Sequence, residues 1–413
     1  MKKALLAALL LTAIGATPAW AAETVKLALT GPFTGGSAPM GASMRDGAKL
    51  AVNEINATGG LNVGGKKMRI EIIERDDEAK NERGTMIGQE LAAMPGLAGV
   101  IGSANTGVII AGDKYLQEKG IPKIITPAAG SASMTQWREA RVPTLSIFRF
   151  AAHDGIQAAM VVEEAINSKF TRVAILYDAT NYGVSGRNDL QARIRAQSDK
   201  IQVVAVEKFD IGDTDMTEQL QRAKSAGAQA ILIWGIGPEQ AVVANEKVKI
   251  GMSGPLIGGW TLSMSNFIDH AGKNGDGTMM PQTFIEEPVT PEAKAFIENY
   301  HRTYKVKRIP SPVSAAQGYD AVLIFAAAIR QAGSTDKAKI VAALEDLREP
   351  VHGVIATWNK PFTRWNPDDE STHEAFTRAQ AVMGMVKDGR VTFAHAEDKA
   401  RLAKASGGKK AAK

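Results

Sequence analysis

The sequence contains no cysteine among its 413 residues. Disulfide bridges, thiol nucleophiles and zinc–thiolate sites are therefore excluded. The fold must be stabilised by its hydrophobic core, and a chain of this length supplies enough apolar residues for one. The length is typical of two domains rather than one.

Long apolar runs are also missing, apart from one at the N-terminus. Lys2 and Lys3 precede an apolar run over residues 4–14, and a small-x-small sequence, "AWA", ends at Ala21. This order is typical of a signal peptide, residues 1–21, that is cleaved near Ala21. The run is too short to span a membrane. The sequence therefore predicts an exported, soluble protein.

Recognisable catalytic and cofactor motifs are absent as well. The sequence has no Gly-x-Ser-x-Gly elbow, no His-Glu-x-x-His pair and no Walker A lysine. Its six histidines are scattered without metal-ligand spacing. The turn "WGIGPEQ" lacks the third glycine of a dinucleotide-binding fingerprint, since Gln240 takes that place. We therefore expect no catalytic residue, no metal site and no cofactor.

The net charge of +5 is concentrated at the two ends of the chain. Lys2 and Lys3 contribute two positive charges, and residues 397–413 contribute six basic against two acidic side chains. The body between them has a net charge of about −1, unlike the basic surface of a nucleic-acid-binding protein. We expect residues 397–413 to form a disordered basic tail, and no nucleic acid among the partners.

From Glu23 onwards, short apolar strands alternate with segments of helical length. The strand sequences include "TVKLAL", "AGVIG", "TRVAILYD" and "AQAILIWG". Such alternation predicts βαβ units and parallel sheets, and a break near "EARVPTLSIFRFAAHDG" separates two series. Three late helical segments must pack on these two sheets, which implies that the chain crosses between two lobes more than once.

Two of the predicted strand–helix connections carry small and hydroxyl-bearing residues. They are "GSANT", residues 102–106, and "PAAGS", residues 127–131. Helix N-termini hold anions through unpaired N–H groups, and ligands of open α/β sheets bind at the carboxyl ends of the strands. The two loops therefore predict a cradle for a carboxylate. The alternative is that their side chains only cap the following helices.

Four blocks of the sequence resemble a known family. They are "LTGPFTGGSAPMGASMRDGAKLAVNEINATGG", "GIPKIITPAAGSASMT", "TRVAILYDATNYGVSG" and "AAQGYDAVLIFAAAI". They are similar, in the same order, to periplasmic solute-binding proteins of the branched-chain amino acid (Leu/Ile/Val-binding) type, which serve ABC importers. The resemblance covers about residues 24–347. It implies an α/β type I periplasmic binding fold with two Rossmann-like lobes, a three-crossover hinge and a cleft that closes on the solute.

The resemblance also implies an organisation and a set of partners. Lobe one is expected to comprise residues 23–147 and 282–360, and lobe two residues 148–281 and 361–396. The expected partners are a small-molecule solute and an inner-membrane ABC permease, and the protein is expected to be a periplasmic monomer. Residues 357–376 depart from the family pattern and have no predicted role.

The family's ligand-binding residues are carried over to matching positions of this sequence. The first-lobe loops supply Ser103, Asn105, Thr106, Ala128, Ala129, Gly130 and Ser131. Ser131 is expected to substitute for a hydroxyl that leucine-binding members have at the position of Gly130. Further contacts fall on Met40, Tyr182 and Tyr319. Arg149 in "IFRF" is expected to anchor the hinge between the lobes.

One position departs from the amino-acid binders of this family. They have a lobe-two carboxylate that pairs with the ligand's α-ammonium group, and Trp260 in "LIGGWTL" stands at that position. An indole suits a flat apolar ligand and attracts a cation by only about 0.5–2 kcal/mol. The solute is therefore expected to be an aliphatic amino acid, with Asp178 or Glu286 supplying the missing charge, or an acid without an ammonium group. A further alternative is that Trp260 only fills the core.

Two other classes of function are compatible with the same cleft. A sensory module would report the solute to a membrane receptor, and sequence does not separate this role from transport. A periplasmic enzyme would need an acid, base or nucleophile beside the cradle, and no motif supplies one.

Overall fold

The computed structural model describes residues 24–407, with side chains described up to residue 403. The expected signal peptide, residues 1–21, lies outside the described residues, as do residues 408–413. The strands are, in chain order, β1 (Thr24–Gly31), β2 (Leu61–Val63), β3 (Lys66–Asp76), β4 (Leu97–Ile101), β5 (Lys123–Ile125), β6 (Ile147–Arg149), β7 (Arg172–Asp178), β8 (Gln202–Phe209), β9 (Ala230–Trp234), β10 (Leu256–Gly258), β11 (Met279–Gln282), β12 (Val351–His352), β13 (Thr357–Trp358), β14 (Val382–Lys387) and β15 (Arg390–Phe393).

Two large sheets organise these strands. The first has the order β2-β3-β1-β4-β5-β6 and the second the order β15-β14-β11-β10-β9-β7-β8. The central strands of both sheets are parallel, as the alternation of strands and helices predicts. Within these two sheets, antiparallel pairing is confined to β2 at one edge of the first and to β14 and β15 at one edge of the second. Strands β12 and β13 form a separate two-stranded antiparallel sheet.

Helices cover both faces of each sheet. They are α1 (Ala38–Ala57), α2 (Asn81–Ala92), α3 (Thr106–Glu118), α4 (Ala132–Glu139), α5 (Asp154–Asn167), α6 (Asn181–Arg195), α7 (Thr217–Ser225), α8 (Glu239–Lys249), α9 (Ser265–Ala271), α10 (Pro291–Tyr304), α11 (Pro312–Ala332), α12 (Lys337–Glu345) and α13 (Ala396–Gly407). The first sheet has α1, α11 and α12 on one face and α2, α3 and α4 on the other. The second has α5 and α6 on one face and α7, α8 and α9 on the other.

Helices α1 and α11 pack closely in the core of the first lobe. A Cβ atom at Gly47 of α1 would lie 1.9 Å from the carbonyl oxygen of Ala315 in α11, so only glycine permits this approach. Helix α11 is long and apolar enough to cross a membrane, but 89% of its apolar window is buried inside the protein. It is therefore a core helix, and its burial explains its composition.

The chain passes between the two sheets three times. It leaves the first sheet after Arg149, returns after Gln282 to form α10, α11 and α12, and enters the second sheet again at Val382. Two Rossmann-like lobes joined by three crossovers confirm the predicted type I architecture.

The segment before the last crossover packs on the first lobe. Phe362, Trp365 and Phe376 are buried in the cores against the first sheet, and the Phe362 ring centroid lies 5.0 Å from that of Phe148. The family resemblance instead implies that residues 361–376 belong to lobe two. The structure differs because these aromatic rings are buried against first-sheet strands, and the chain joins the second sheet only at β14.

The C-terminal residues also differ from the expectation. Residues 397–407, predicted as part of a disordered tail, belong to α13. This helix lies against two crossovers, where the Arg401 guanidinium donates to the carbonyl oxygen of Ala379 at 2.8 Å and Lys399 forms an ion pair with Glu287. Two basic residues of the predicted tail, Lys399 and Arg401, therefore have partners on distant parts of the chain.

We predict that Phe362→Ala lowers the free energy of unfolding by about 3–5 kcal/mol, because loss of a fully buried ring leaves a cavity beside Phe148. Urea unfolding of the purified variant measures the loss. The control is Ile211→Ala, whose side chain is 57% exposed and should change stability by less than about 0.5 kcal/mol. A loss below about 1 kcal/mol for Phe362→Ala would contradict the packing of this segment on the first lobe.

Candidate functional site

Residues from both lobes meet between the carboxyl ends of the two sheets. Met40 and Ala129 from the first lobe and Tyr182, Trp234 and Trp260 from the second belong to one buried cluster, which we call the interlobe cluster. Each of them is at most 4% exposed. The lobes are therefore closed on each other, and four of these five residues are ones that the sequence predicts for the site.

The loop between β4 and α3 forms one wall of the site. Helix α3 begins at Thr106, and its N-cap residue, Asn105, makes no side-chain cap hydrogen bond with the described residues. The Thr106 hydroxyl and the side-chain oxygen of Asn105 are buried and have no hydrogen-bond partner among residues 24–403. An anion would satisfy the hydroxyl and the N–H groups of the first helical turn, whereas the Asn105 oxygen needs a donor.

Two serines predicted for the cradle have other partners. The Ser103 hydroxyl donates to the carboxylate of Asp77, on the side of the first-lobe core, and burial raises the pKa of that carboxyl. The Ser131 hydroxyl donates to Asp189 of α6 at 2.7 Å and so bridges the two lobes. Both hydroxyls are therefore already hydrogen-bonded, whereas the Thr106 hydroxyl has no partner among residues 24–403.

The two cradle loops are in direct contact through Gly130. A Cβ atom at this position would lie 2.1 Å from the Thr106 hydroxyl oxygen and 2.8 Å from its methyl group. A threonine or serine at position 130 is therefore incompatible with Thr106 as it stands. The Thr106 side chain therefore occupies the space that a hydroxyl-bearing side chain at position 130 would need.

Arg149 fixes the second cradle loop to the hinge. Its guanidinium is 3% exposed and forms a bidentate ion pair with Glu374, at 2.7 and 2.6 Å. It also donates to the carbonyl oxygens of Ala129 and Gly130, at 3.3 and 2.9 Å. The predicted role of Arg149 as a hinge anchor agrees with these contacts.

The second-lobe wall is aromatic. The Tyr182 hydroxyl and the Trp234 indole N–H are both buried and without a hydrogen-bond partner in the described part of the chain. Their ring centroids lie 6.1 Å apart, and a Cβ atom at Gly259 would be 2.7 Å from the Tyr182 hydroxyl. Burial raises the pKa of Tyr182 well above its usual value, so the phenol stays neutral.

Trp260 joins the two lobes at the hinge side of the cleft. It begins a 3-10 turn after β10, and its backbone N–H donates to the side-chain oxygen of Gln157 at 2.9 Å. Trp260 borders a small cavity that is also lined by Gln282, Val313 and Gln317. The residue therefore packs in the interlobe cluster and borders a small cavity as well.

Neither acid proposed to replace the missing carboxylate is available. Asp178 accepts hydrogen bonds from the backbone N–H groups of Thr180 and Ile236, at 3.0 and 2.7 Å, and burial raises its pKa to about 6. Glu286 contacts His301 and accepts from the backbone N–H of Ile309 at 3.0 Å. Both carboxylates are therefore committed to structural contacts.

A third acid, Asp154, is not among the residues that the sequence predicts for the site. It is the first residue of α5, is 0% exposed, and donates its backbone N–H to the carbonyl oxygen of Ala129 at 2.8 Å. Neither of its carboxylate oxygens has a hydrogen-bond partner among the residues that the structure describes. Burial and the nearby Asp189 raise the pKa of this carboxyl well above its usual value, and Arg149 opposes the rise. In the sequence it resembles any acid in a first helical turn.

The structure places Tyr319 away from the cleft. Its hydroxyl donates to Glu54 at 2.5 Å, and its ring centroid lies 5.2 Å from that of Phe296. Gln317, two positions earlier on α11, lines the cavity beside Trp260. Residues two apart on a helix point in nearly opposite directions, which explains why Tyr319 is not brought to the site.

Comparison with known proteins agrees with this fold. A family model described as periplasmic binding protein matches residues 24–387. The chain belongs to the periplasmic binding protein family. It is therefore a solute-binding protein with the family's type I fold, as the sequence blocks predict.

Individual relatives cover most of the chain. It is 28% identical to Leu/Ile/Val-binding protein homolog 3 of Brucella melitensis, over 81% of this chain and 86% of the relative. A periplasmic binding protein type 1 from Bordetella pertussis superposes with a TM-score of 0.77 at 26% identity, over 90% of this chain and 99% of the other. An ABC transporter solute-binding protein of R. palustris, solved in complex with benzoate, has a TM-score of 0.74 at 22% identity, over 90% and 96% of the two chains.

We predict that Gly130→Ala lowers the free energy of unfolding by about 1–3 kcal/mol, because the new methyl group overlaps Thr106. Adding Thr106→Ala should recover most of this loss, since it removes the two closest atoms. The control is Gly36→Ala, where an added Cβ meets its nearest neighbour, in Pro238, at 3.7 Å. Additive effects of the two substitutions in a double-mutant cycle would show that the loops do not touch as described.

Proposed function

We propose that the protein is the extracytoplasmic solute-binding component of an ABC importer, and that it captures a small carboxylate-bearing solute between its lobes. The observation that carries this proposal is the Thr106 hydroxyl, buried at the uncapped start of α3 with no partner among residues 24–403. A carboxylate is the group that satisfies such a hydroxyl together with the N–H groups of a helix N-terminus. The solute is then delivered to an inner-membrane permease by a periplasmic, monomeric protein.

The proposed mechanism is binding followed by hinge closure. The three crossovers let the second lobe move against the first, and a solute that contacts both lobes stabilises the closed state. The cradle loops supply the polar contacts of the first lobe, and Tyr182, Trp234 and Trp260 cover the solute from the second. No bond is made or broken, so the function needs no catalytic residue or cofactor.

The fold alone does not select the solute. The Brucella relative is named for leucine, isoleucine and valine, whereas the R. palustris protein of the same fold is in complex with benzoate. The aromatic second-lobe wall suits an apolar side chain or a flat ring equally well. Branched-chain amino acids and small aromatic or aliphatic acids are therefore the two solute classes to test.

A thermal-unfolding screen tests the proposed function. The mature chain is unfolded and refolded to remove co-purified solute, then mixed with branched-chain and aromatic amino acids, their deaminated acids, and benzoate. A ligand at 100 times its Kd should add about 2.7 kcal/mol to the stability. If no member of either class raises the Tm at millimolar concentration, the proposal is contradicted.

We predict that Thr106→Ala weakens binding of the solute found in this screen by about 10- to 150-fold, the range for a lost hydrogen bond to a charged group. Ser103→Ala should weaken it less, because the Ser103 hydroxyl is already engaged by Asp77. Isothermal titration calorimetry measures both variants. Equal affinity of wild type and Thr106→Ala would contradict the placement of the carboxylate at α3.

A further inference from the structure

Residues 357–376 depart from the family pattern, and the proposed function gives them no role. Part of this segment lies along β6, the strand at the open edge of the first sheet. The backbone N–H of Arg149 donates to the carbonyl oxygen of His373 at 2.8 Å, and that of Ala375 donates to the carbonyl oxygen of Arg149 at 3.0 Å. We call residues 366–375 the edge strap, because they pair with backbone groups that an edge strand otherwise leaves exposed.

One arginine of α4 holds the turn of the edge strap. The Arg138 guanidinium donates to three carbonyl oxygens of this turn, at 2.7 Å for Asp369 and 3.0 Å for Glu370 and Thr372. It also lies over the ring of Trp365, 4.9 Å from the centroid, and its side chain is only 12% exposed. A planar fork of N–H donors can bind several acceptors at once, which a lysine ammonium does not reproduce.

The turn is also closed by its own hydrogen bonds. The Thr372 hydroxyl donates to the carbonyl oxygens of Asn366 and Asp369, at 3.0 and 2.9 Å. It accepts in return from the backbone N–H of Asn366 at 3.2 Å. Thr372 is 4% exposed, so these contacts are shielded from water. The hydroxyl therefore fixes the carbonyl groups in the arrangement that Arg138 binds.

The edge strap is joined to the second cradle loop, residues 127–131, in two ways. Glu374 holds the Arg149 guanidinium, which donates to the carbonyl oxygen of Gly130 at 2.9 Å. Helix α4 begins at Ala132, directly after the loop, and its Arg138 holds the strap from the other side. A displacement of the strap would therefore move both the loop's hydrogen-bond donor and the helix that follows the loop.

A second arginine contacts the same turn but is placed differently. Arg141 forms a bidentate ion pair with Asp368, at 2.8 and 3.0 Å. The two side chains are 65% and 64% exposed. Exposed ion pairs contribute little to stability because water screens them. Arg141 is therefore a matched control for Arg138, since it touches the strap without a buried set of contacts.

We propose that the edge strap positions the second cradle loop, and that Arg138 is the positioning residue that fixes the strap for this task. The inference rests on the proposed function, because the cradle is where the carboxylate of the solute is proposed to bind. Arg138 acts through the strap, Glu374 and Arg149 rather than on the solute. The segment that departs from the family pattern thus supports the binding site from outside the cleft.

Hydrogen–deuterium exchange of the ligand-free mature chain tests the transmission from strap to loop. Arg138→Met should accelerate exchange of the amides of residues 128–131 by about tenfold or more, because hydrogen bonds to a charged group are lost and the loop opens locally. Thr372→Val keeps the shape of its side chain and should cause a smaller acceleration at the same amides. Since Thr372 is remote from the loop in sequence, that effect must pass through the strap. Arg141→Met should leave these amides unchanged.

The second readout is affinity, which a strap with only a structural role would not alter. The probe is leucine or benzoate, whichever raises the Tm of the wild type. Isothermal titration calorimetry should show about tenfold weaker binding by Arg138→Met, because a loop that is in its binding conformation a tenth of the time lowers the affinity by that factor. Arg141→Met should bind the probe as the wild type does. A merely structural strap would lower the Tm of Arg138→Met and change neither the exchange at 128–131 nor the affinity.

Unchanged exchange at residues 128–131 in both strap variants would overturn the inference, whether or not a probe binds. Accelerated exchange with unchanged affinity for a bound probe would overturn it as well. If no compound of the thermal-unfolding screen binds, the proposed function is contradicted, whereas the exchange rates still support or overturn the transmission from strap to loop. If Arg138→Met does not fold, as judged by circular dichroism, Thr372→Val decides by the same two readouts.

Discussion

The Arg149–Glu374 ion pair holds together the region where the lobes, the crossovers and the cradle meet. Arg149 ends β6, so it stands where the chain leaves the first lobe, and Glu374 precedes the last crossover. The same guanidinium donates to the carbonyl oxygen of Gly130. Removing one partner of such a buried pair typically costs about 3–5 kcal/mol, because a charge is left uncompensated. The second cradle loop is therefore tied to the hinge by buried, charge-assisted contacts.

Local sequence patterns predict where the cradle loops lie but not where their hydroxyls point. Small residues after predicted strands place the loops at 102–106 and 127–131, and both follow strands of the first sheet in the structure. The Ser103 hydroxyl, however, turns to Asp77, and that of Ser131 turns to an aspartate in the other lobe. These partners are 26 and 58 positions away, and no local pattern contains them.

Burial and helical phase explain the other differences between expectation and structure. Strand–helix alternation is a local signal, so it predicts the two sheets and the repeated crossings. The packing of residues 361–376 depends instead on contacts with distant rings, and α13 depends on acceptors in two crossovers. Asp154 has no distinctive sequence signal because an acid at the start of a helix is common. That its carboxyl oxygens have no hydrogen-bond partner among the described residues is visible only in three dimensions. Tyr319 matches the family pattern, but its side chain leaves α11 on the side away from the cleft.

Trp260 leaves the second-lobe wall without the carboxylate that the family resemblance implies at its position. A carboxylate on the second-lobe sheet would let a solute's ammonium group pair only when the lobes close. Asp154, at the first crossover, is hydrogen-bonded through its backbone N–H to Ala129 of the first-lobe loop. The second lobe then contributes the apolar surfaces of Tyr182, Trp234 and Trp260, together with one hydroxyl and one indole N–H. In the proposed function, burial of the solute's apolar part against these rings favours closure.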